Sequence, residues 1–522
     1  MTNGLIESVS HNLSVEAANM NASHSRRRFL TQTAASLSST AILPELTAVT
    51  QAGMTLDKGV VQLRPEIEPL VKLIEETPQQ RLMEEIGQRV RSGTGYREVL
   101  TGLFLAAIRN VQPRPTVGFK FHAVLVVHSA HLASISSPGE DRWLPIFWAL
   151  NEFKKSQASD VSEGDWTMAP VDEAAVPSPR QALMDFHDAM QNWDEVKVDG
   201  AAAGLVRFAG ATEVFESFAR YAARDYRSIG HKAIFTANAW RTLQTIGWQH
   251  AEPVLRSLAY AMVNHNSEPN PATSDLPADR PWQRNKELAS AIRDDWQHGR
   301  IDQSATQSLI TTLRTGTSTE ASAATVEVLN AGVSPQSVFD ALHTTASELL
   351  IRQSGIIALH AVTTTNAIRY LFDTTGDEQT RRLLLLQNAA FLPMFRASME
   401  GRGNVGNSTV DEWQTAAADG KHMSLNDIFV NVGSNRYAAF SGVFQYLSDG
   451  NAPQELISTA RQLIFLKGSN AHDYKFSSAL LEDYYKVSPA FRDKFLAAGS
   501  TMLRGSSFPD NHLVTRIRAA LS

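Results

Sequence analysis

From about residue 60 onward, apolar residues return every three to four positions. Leu82, Ile86 and Val90 fall at i, i+4 and i+8, and Gly93 follows as a stop. That spacing lines one face of a helix, and a glycine just past its end is the usual C-terminal signal. The runs "REVLTGLFLAAI", "EPVLRSLAYAMV" and "RRLLLLQNAAFL" carry the strong helix formers Ala, Leu, Glu and Arg. No stretch alternates apolar and polar residues convincingly, as a half-buried strand would. The pattern predicts an all-α protein, with Gly, Pro, Asn and Ser clusters as its connections.

The pattern also echoes itself. Gly93 and Gly332, Val99 and Val338, Leu103 and Leu342, Ala107 and Ala346, Arg142 and Arg381, Leu144 and Leu383, and Gly164 and Gly403 each stand 239 residues apart. His122 and His360 are 238 apart, and His231 and His472 are 241 apart, with Phe235 and Phe476 four residues further on in each case. Ordered matches at a nearly constant displacement indicate two tandemly duplicated helical halves packed as one large bundle. Chance alignment of Leu/Ala-rich helices explains any single match, but less readily an ordered set that includes Gly and His. A chain of 522 residues with 43% hydrophobic content is long enough for two such units. Between them, "SEPNPATSDLPADRP" carries four prolines and reads as a linker. The expected organisation is 53–266 as the first half, 267–284 as the linker and 285–522 as the second half.

Residues 1–52 lie outside this pattern. "SRRRFL" at Ser25 to Leu30, followed by a mildly apolar Thr/Ser/Ala-rich stretch, resembles a twin-arginine export signal with a small-residue cleavage point after Ala52. The expected partner is the twin-arginine export machinery, and the expected location is periplasmic or secreted. No later segment has the ~18 uninterrupted apolar residues of a membrane span, so a soluble mature protein without a transmembrane segment is expected. The net charge of −6 gives no sign of a nucleic-acid surface. The chain has no cysteine, which excludes disulfides, iron–sulfur clusters, c-type haem attachment and thiolate zinc sites. Any metal must be held by His, Asp or Glu.

Four histidines, His122, His231, His360 and His472, occupy two pairs of equivalent positions. If the halves pack about a pseudo-twofold axis, all four can face one cavity, where neutral imidazoles suit zinc, iron or copper. Taken singly, each reads equally as a hydrogen-bonded core residue. Asn238, two turns after His231, and Thr364, one turn after His360, share their histidines' faces and can orient a ring. His128 and His131 are three apart and can point together, or one of them can face water. Lys475, on the face of His472, can bind an anion or act as an acid, unless it merely reaches to solvent. "GRGNVG" at Gly401 to Gly406 has dinucleotide-loop spacing but follows a helical run and not a strand, so it reads as an ordinary loop. "DFHDAM" puts Asp185 and Asp188 on one helix face with His187 pointing elsewhere, a solvated face. There is no G-x-S-x-G elbow, Walker loop or H-E-x-x-H.

"LHAVTTTNAIRYLF" and "HDYKFSSALLEDYY" resemble segments of the questin-oxidase-like family, helical proteins with His-Ala-Val-Thr and His-x-x-Lys stretches. The likeness covers about fifty residues and is carried by His360, His472 and Lys475. It implies Baeyer–Villiger-type oxygenation of a phenolic or quinone-like ring, with a reduced nicotinamide as electron source. The sequence therefore points to an exported oxidoreductase with a histidine-lined cavity. The histidines would either ligate a metal or take a proton from a small phenol-like substrate, and His128, Asn238 and Lys475 complete the candidate set. The competing expectation is a non-catalytic periplasmic helical scaffold or binding protein, with buried histidines that only satisfy core hydrogen bonds.

Overall fold

In a computed structural model of the chain, residues 59–113, 122–265, 267–418, 420 and 422–522 are described. The export motif, its apolar stretch and the cleavage point lie outside them. The described residues hold 23 α-helices, and their nearest approach to a sheet is one isolated bridge between Arg300 and Val333. The all-α expectation holds. No helix among the described residues is long and apolar enough to cross a membrane.

The first eleven helices are α1 (Glu68–Glu76), α2 (Gln79–Arg91), α3 (Tyr96–Asn110), α4 (His122–Ile135), α5 (Leu144–Glu163), α6 (Ala182–Asn192), α7 (Lys197–Phe208), α8 (Ala211–Ala219), α9 (His231–Ile246), α10 (Ala251–Val263) and α11 (Arg280–Ser290). The following twelve are α12 (Gln303–Thr315), α13 (Ser318–Asn330), α14 (Pro335–Arg352), α15 (Ile356–Thr374), α16 (Glu378–Glu400), α17 (Val410–Ala418), α18 (Leu425–Asn431), α19 (Arg436–Ser448), α20 (Pro453–Lys467), α21 (Ala471–Asp483), α22 (Pro489–Ser500) and α23 (Leu513–Leu521). Local chemistry sets many of their ends. Thr317 and Glu320 form a capping box on α13, and Asn470 and Asp473 form another on α21. Gly93 at φ +106° and Gly332 at φ +83° follow α2 and α13, in a backbone region that glycine enters without steric penalty. The proline-rich stretch is turn and coil as far as Asp279, and then becomes α11 with Pro281 in its first turn.

Helix order and packing partners recur along the chain. Helices α2 and α13 start and end 239 residues apart (318 − 79 and 330 − 91). Helix α4 packs on α5 as α15 packs on α16, α7 on α10 as α19 on α22, and α1 on α3 as α12 on α14. Some contacts cross over. Helix α9 packs on α15, α21 packs on α4, and α23 lies on α2 and α5, whereas α11 lies on α13 and α16, which follow it in the chain. At the centre, α4, α9, α15 and α21 form a closed ring of four neighbours. Helix α4 is buried continuously from His122 to Ala130, and α15 from Ile357 to Ile368. Burial on every side belongs to a helix surrounded by other helices, and these two helices carry the repeated His-Ala-Val.

Candidate functional site

Each helix of the central ring begins at a histidine or within five residues of one. His122 and His231 are the first residues of α4 and α9, His472 is the second of α21, and His360 the fifth of α15. The four N-terminal ends meet, and the rings with them. Ring centroids lie 5.1 Å apart for His122 and His231, 4.5 Å for His231 and His360, 4.4 Å for His122 and His472, and 5.3 Å for His360 and His472. The His231 Nε2 is 3.0 Å from the His122 Nε2 and 3.1 Å from the His360 Nε2. One ligating nitrogen from each of these three rings lies within 4.8 Å of the other two.

The tautomers follow from the partners. The Nδ1 of His231 faces the Ser228 carbonyl at 2.7 Å, and the Nδ1 of His360 faces the Ile356 carbonyl at 2.6 Å. A carbonyl oxygen only accepts, so in both rings Nδ1 carries the hydrogen and Nε2 presents a lone pair. Two lone pairs therefore confront each other at 3.1 Å. His122 can donate its own Nε2–H to His231, but His360 has no hydrogen to give. A cation between the rings would relieve this contact. A proton is a poor candidate, because burial pushes His231 down to about 3, with the nearby Lys475 charge adding to the effect. Burial likewise holds His122 and His360 well below the usual imidazole range, and His472 at about 3. The converging helix N-termini, positive ends of their dipoles, act in the same direction. Three ring nitrogens placed in this way could hold a metal ion. Imidazole–metal bonds of about 2.0 to 2.1 Å require ligating nitrogens roughly 3 to 4 Å apart, and an Nδ1–H held by a backbone carbonyl is the usual support of a ligating histidine.

His472 stands at the edge of the group. Its Nε2 is buried and has no hydrogen-bond partner among the described residues. Its ring also borders an open cavity of about 600 Å³ lined by residues of α15, α19, α21 and the segment from Thr501 to Phe508.

Because the four helices start together, distance from each histidine measures depth, at about 1.5 Å per residue. Lys475 comes first, about one turn in. It is buried, its Nζ has no partner among the described residues, and burial pushes its amine down to about 7. It does not reach solvent. About two turns in, His128 and Asn238 share with Lys475 a pocket of about 10 Å³, room for a single water. One turn deeper, Arg241 of α9 pairs with Glu482 of α21 at 3.0 Å, and Asn366 of α15 donates to the same carboxylate at 3.0 Å. The expected ring-orienting roles of Asn238 and Thr364 are corrected here. Asn238 Nδ2 donates to the Leu125 carbonyl at 3.0 Å, and the Thr364 hydroxyl lies 3.5 Å from the Ile229 carbonyl. Both stand a turn or more along the helix from the rings, which main-chain carbonyls hold instead. His128 and His131 do not form a pair at the site either. Their centroids are 6.3 Å apart, and His131 Nδ1 bonds the Tyr96 hydroxyl at 2.9 Å.

The contact that Thr364 does make positions the site. Gly230, at φ +83°, precedes His231, and a Cβ placed there would meet the Thr364 Oγ1 at 1.9 Å. Only a glycine lets the start of α9 approach α15 this closely. Gly230→Ala should cost about 2 to 4 kcal/mol through the clash and the left-handed backbone. It should also lower metal affinity at least tenfold, although it changes no ligand. Thr364→Ala on top of it should recover part of both losses. Thermal unfolding and metal titration of the two variants check this, and an unchanged affinity in Gly230→Ala would count against the close approach.

A second buried group lies off this axis. His343 Nδ1 is 3.5 Å from Asp483 Oδ2. Burial pushes His343 down to about 3 and Asp483 well above the usual carboxylate range, so both are held neutral. His343 has no counterpart at the displacement that pairs the other four histidines, so the sequence pattern did not single it out.

Comparison with family models, with curated proteins and with solved structures finds no match to this chain.

Proposed function

We propose that the protein is a metal-dependent oxidoreductase that acts on a small phenolic or quinone-like molecule. The opposed Nε2 lone pairs of His231 and His360 at 3.1 Å carry this reading, because neutral rings in those tautomers need a cation between them. An all-nitrogen set without thiolate suits a divalent first-row transition metal, and a redox-active one supplies one-electron chemistry and a binding position for oxygen. His122, His231 and His360 would hold it, with His472 turned towards the cavity. The four helix N-termini favour a negative charge at this point, as an ionised phenol provides. Lys475, whose amine burial pushes down to about 7, is suited to take and return a proton beside such a substrate. The likeness of Leu359–Phe372 and His472–Tyr485 to questin-oxidase-like segments supports the same substrate class. A reduced nicotinamide remains the proposed electron source. A non-catalytic scaffold would instead scatter its histidines over separate helix interfaces, each with its own hydrogen-bond partner.

The test is oxygen consumption by protein purified from its own export pathway, with hydroxylated aromatics and quinones as substrates, with and without reduced nicotinamide. Turnover should be lost to a chelator and restored by one metal. Undiminished turnover in metal-free protein would overturn the reading.

We further infer that the two halves arose by tandem duplication, which the recurring helix order and the crossed-over contacts of α9 with α15 and of α23 with α2 and α5 support. We also propose export by the twin-arginine route. Replacing Arg26, Arg27 and Arg28 with Lys should then retain the chain in the cytoplasm, because the receptor reads an arginine pair and not charge alone. Undiminished export in cell fractionation would remove that assignment.

A further inference from the structure

The two ends of the central ring that carry His231 and His472 differ in what surrounds them. Beside His231 the space is filled. Lys232 Nζ bonds Asp225 at 2.9 Å and the Met262 carbonyl at 3.0 Å, and Trp193 lies against Lys232, Arg224 and Arg227 with cation-to-centroid distances of 4.5, 3.5 and 4.9 Å. Beside His472 the corresponding region is the open cavity of about 600 Å³, a size that suits a small organic ligand.

The cavity wall combines apolar surface with cationic charge. Ile356, Leu359, Met502 and Phe508 supply the apolar surface, and its charged side chains are Arg436, Arg504 and Asp473, a net charge of +1 (2 − 1) with His472 neutral. The Arg504 guanidinium lies over the Phe508 ring, 5.0 Å from its centroid. Its Nη2 reaches Asp473 and the Ser469 hydroxyl, and its Nε is buried without a partner among the described residues. The Asp473 carboxylate is shared, since it also accepts from the backbone N–H of Ser469 at 2.8 Å and of Asn470 at 3.2 Å. Arg436 donates to the Ser354 hydroxyl at 2.7 Å and to two backbone carbonyls, with no carboxylate among these partners.

We propose that this cavity binds a small, largely aromatic molecule with one anionic group, a carboxylate, sulfonate or ionised phenol. Arg504 reads the anion, and the ring lies on the Leu359–Phe508 wall with one edge towards His472. With Nη2 committed to Asp473 and Ser469 and Nε buried, Nη1 is the donor left for an oxyanion, and the guanidinium charge decides between charged and neutral occupants of the same shape. This deepens the proposed function by naming what enters the site, but the binding step does not depend on the metal.

The probe is 1-anilinonaphthalene-8-sulfonate, an aromatic anion, set against neutral N-phenyl-1-naphthylamine, both followed by fluorescence on the full chain. The sulfonate should bind at one site. Arg504→Gln should weaken it at least tenfold while changing the neutral probe less than twofold, and Arg504→Lys should fall between. Ser434→Trp, at an exposed position on the rim, should abolish both. Treating the wild-type chain with a chelator should leave both intact, so loss of the metal reading and loss of this one are told apart. Equal sulfonate affinity in wild type and Arg504→Gln, or binding that survives Ser434→Trp, would overturn the proposal. If Arg504→Gln fails to fold by circular dichroism, Ser434→Trp and Arg436→Gln decide it on the same criteria, with Arg436→Gln expected to weaken the sulfonate alone.

Discussion

Replacing His231 with alanine should reduce bound metal from about one equivalent per chain to less than a tenth of one. His231 is the ring through which the others meet, with its Nε2 at 3.0 Å from His122 and 3.1 Å from His360. Without it, no ligating nitrogen bridges α4 and α15, which are held together here through α9 and α21. The effect on stability should depend on the metal. A ligand bound only by the folded state stabilises by about 4 kcal/mol at a thousandfold excess over its Kd, and the variant forfeits that increment. The metal-free variant, in contrast, loses a buried ring but also loses the lone-pair confrontation. It should melt within about 1 to 3 kcal/mol of metal-free wild type, the range of an ordinary core truncation. Elemental analysis and thermal melts with and without chelator separate the two terms. A variant that retains a full equivalent of metal would place the ion elsewhere.

Lys475→Met should make the metal-free protein more stable at pH 7 while abolishing turnover. The amine is buried, has no partner among the described residues, and is pushed from 10.5 down to about 7 by burial. A lysine with a depressed folded pKa destabilises the native state fully below that pKa, and the penalty fades as pH rises towards the unfolded value. A depression of this size corresponds to about 5 kcal/mol at and below neutral pH, at 1.36 kcal/mol per unit. Methionine fills a similar volume without charge, so a gain of about 2 to 5 kcal/mol is expected. The gain should shrink between pH 7 and 10.5. Denaturant melts across that range measure it, and a variant less stable than wild type at pH 7 would show that Lys475 has a partner. A costly buried amine retained beside four histidines fits a chemical role better than a structural one.

The fold class was legible because the 3.6-residue apolar period is a local property, and α2 shows it in Leu82 and Ile86, both buried. The four histidines were legible because they stand in pairs at nearly the same displacement, 238 and 241 residues, which marked them out of fifteen in the chain. What held them was not. The carbonyls of Ser228 and Ile356 are backbone groups, which leave no signature in side-chain identity. Asn238 and Thr364 share a helix face with their histidines, but sharing a face does not bring a side chain to the ring one or two turns away. Arg241 and Glu482 come from opposite halves and meet only through the crossed-over packing of the central ring. The cavity beside His472 is assembled from segments more than a hundred residues apart, Ser354 to Phe508. No local pattern records such a space.

X-ray absorption at the K edge of the metal in protein purified from its own export pathway tests the central claim most directly. One metal ion per chain is expected, with three or four nitrogen or oxygen neighbours at about 2.0 to 2.2 Å and the outer-shell scattering of imidazole rings, all lost in His231→Ala. A purified, folded and active protein without stoichiometric metal, or a metal shell without imidazole scattering, would contradict a metal centre at the four histidines.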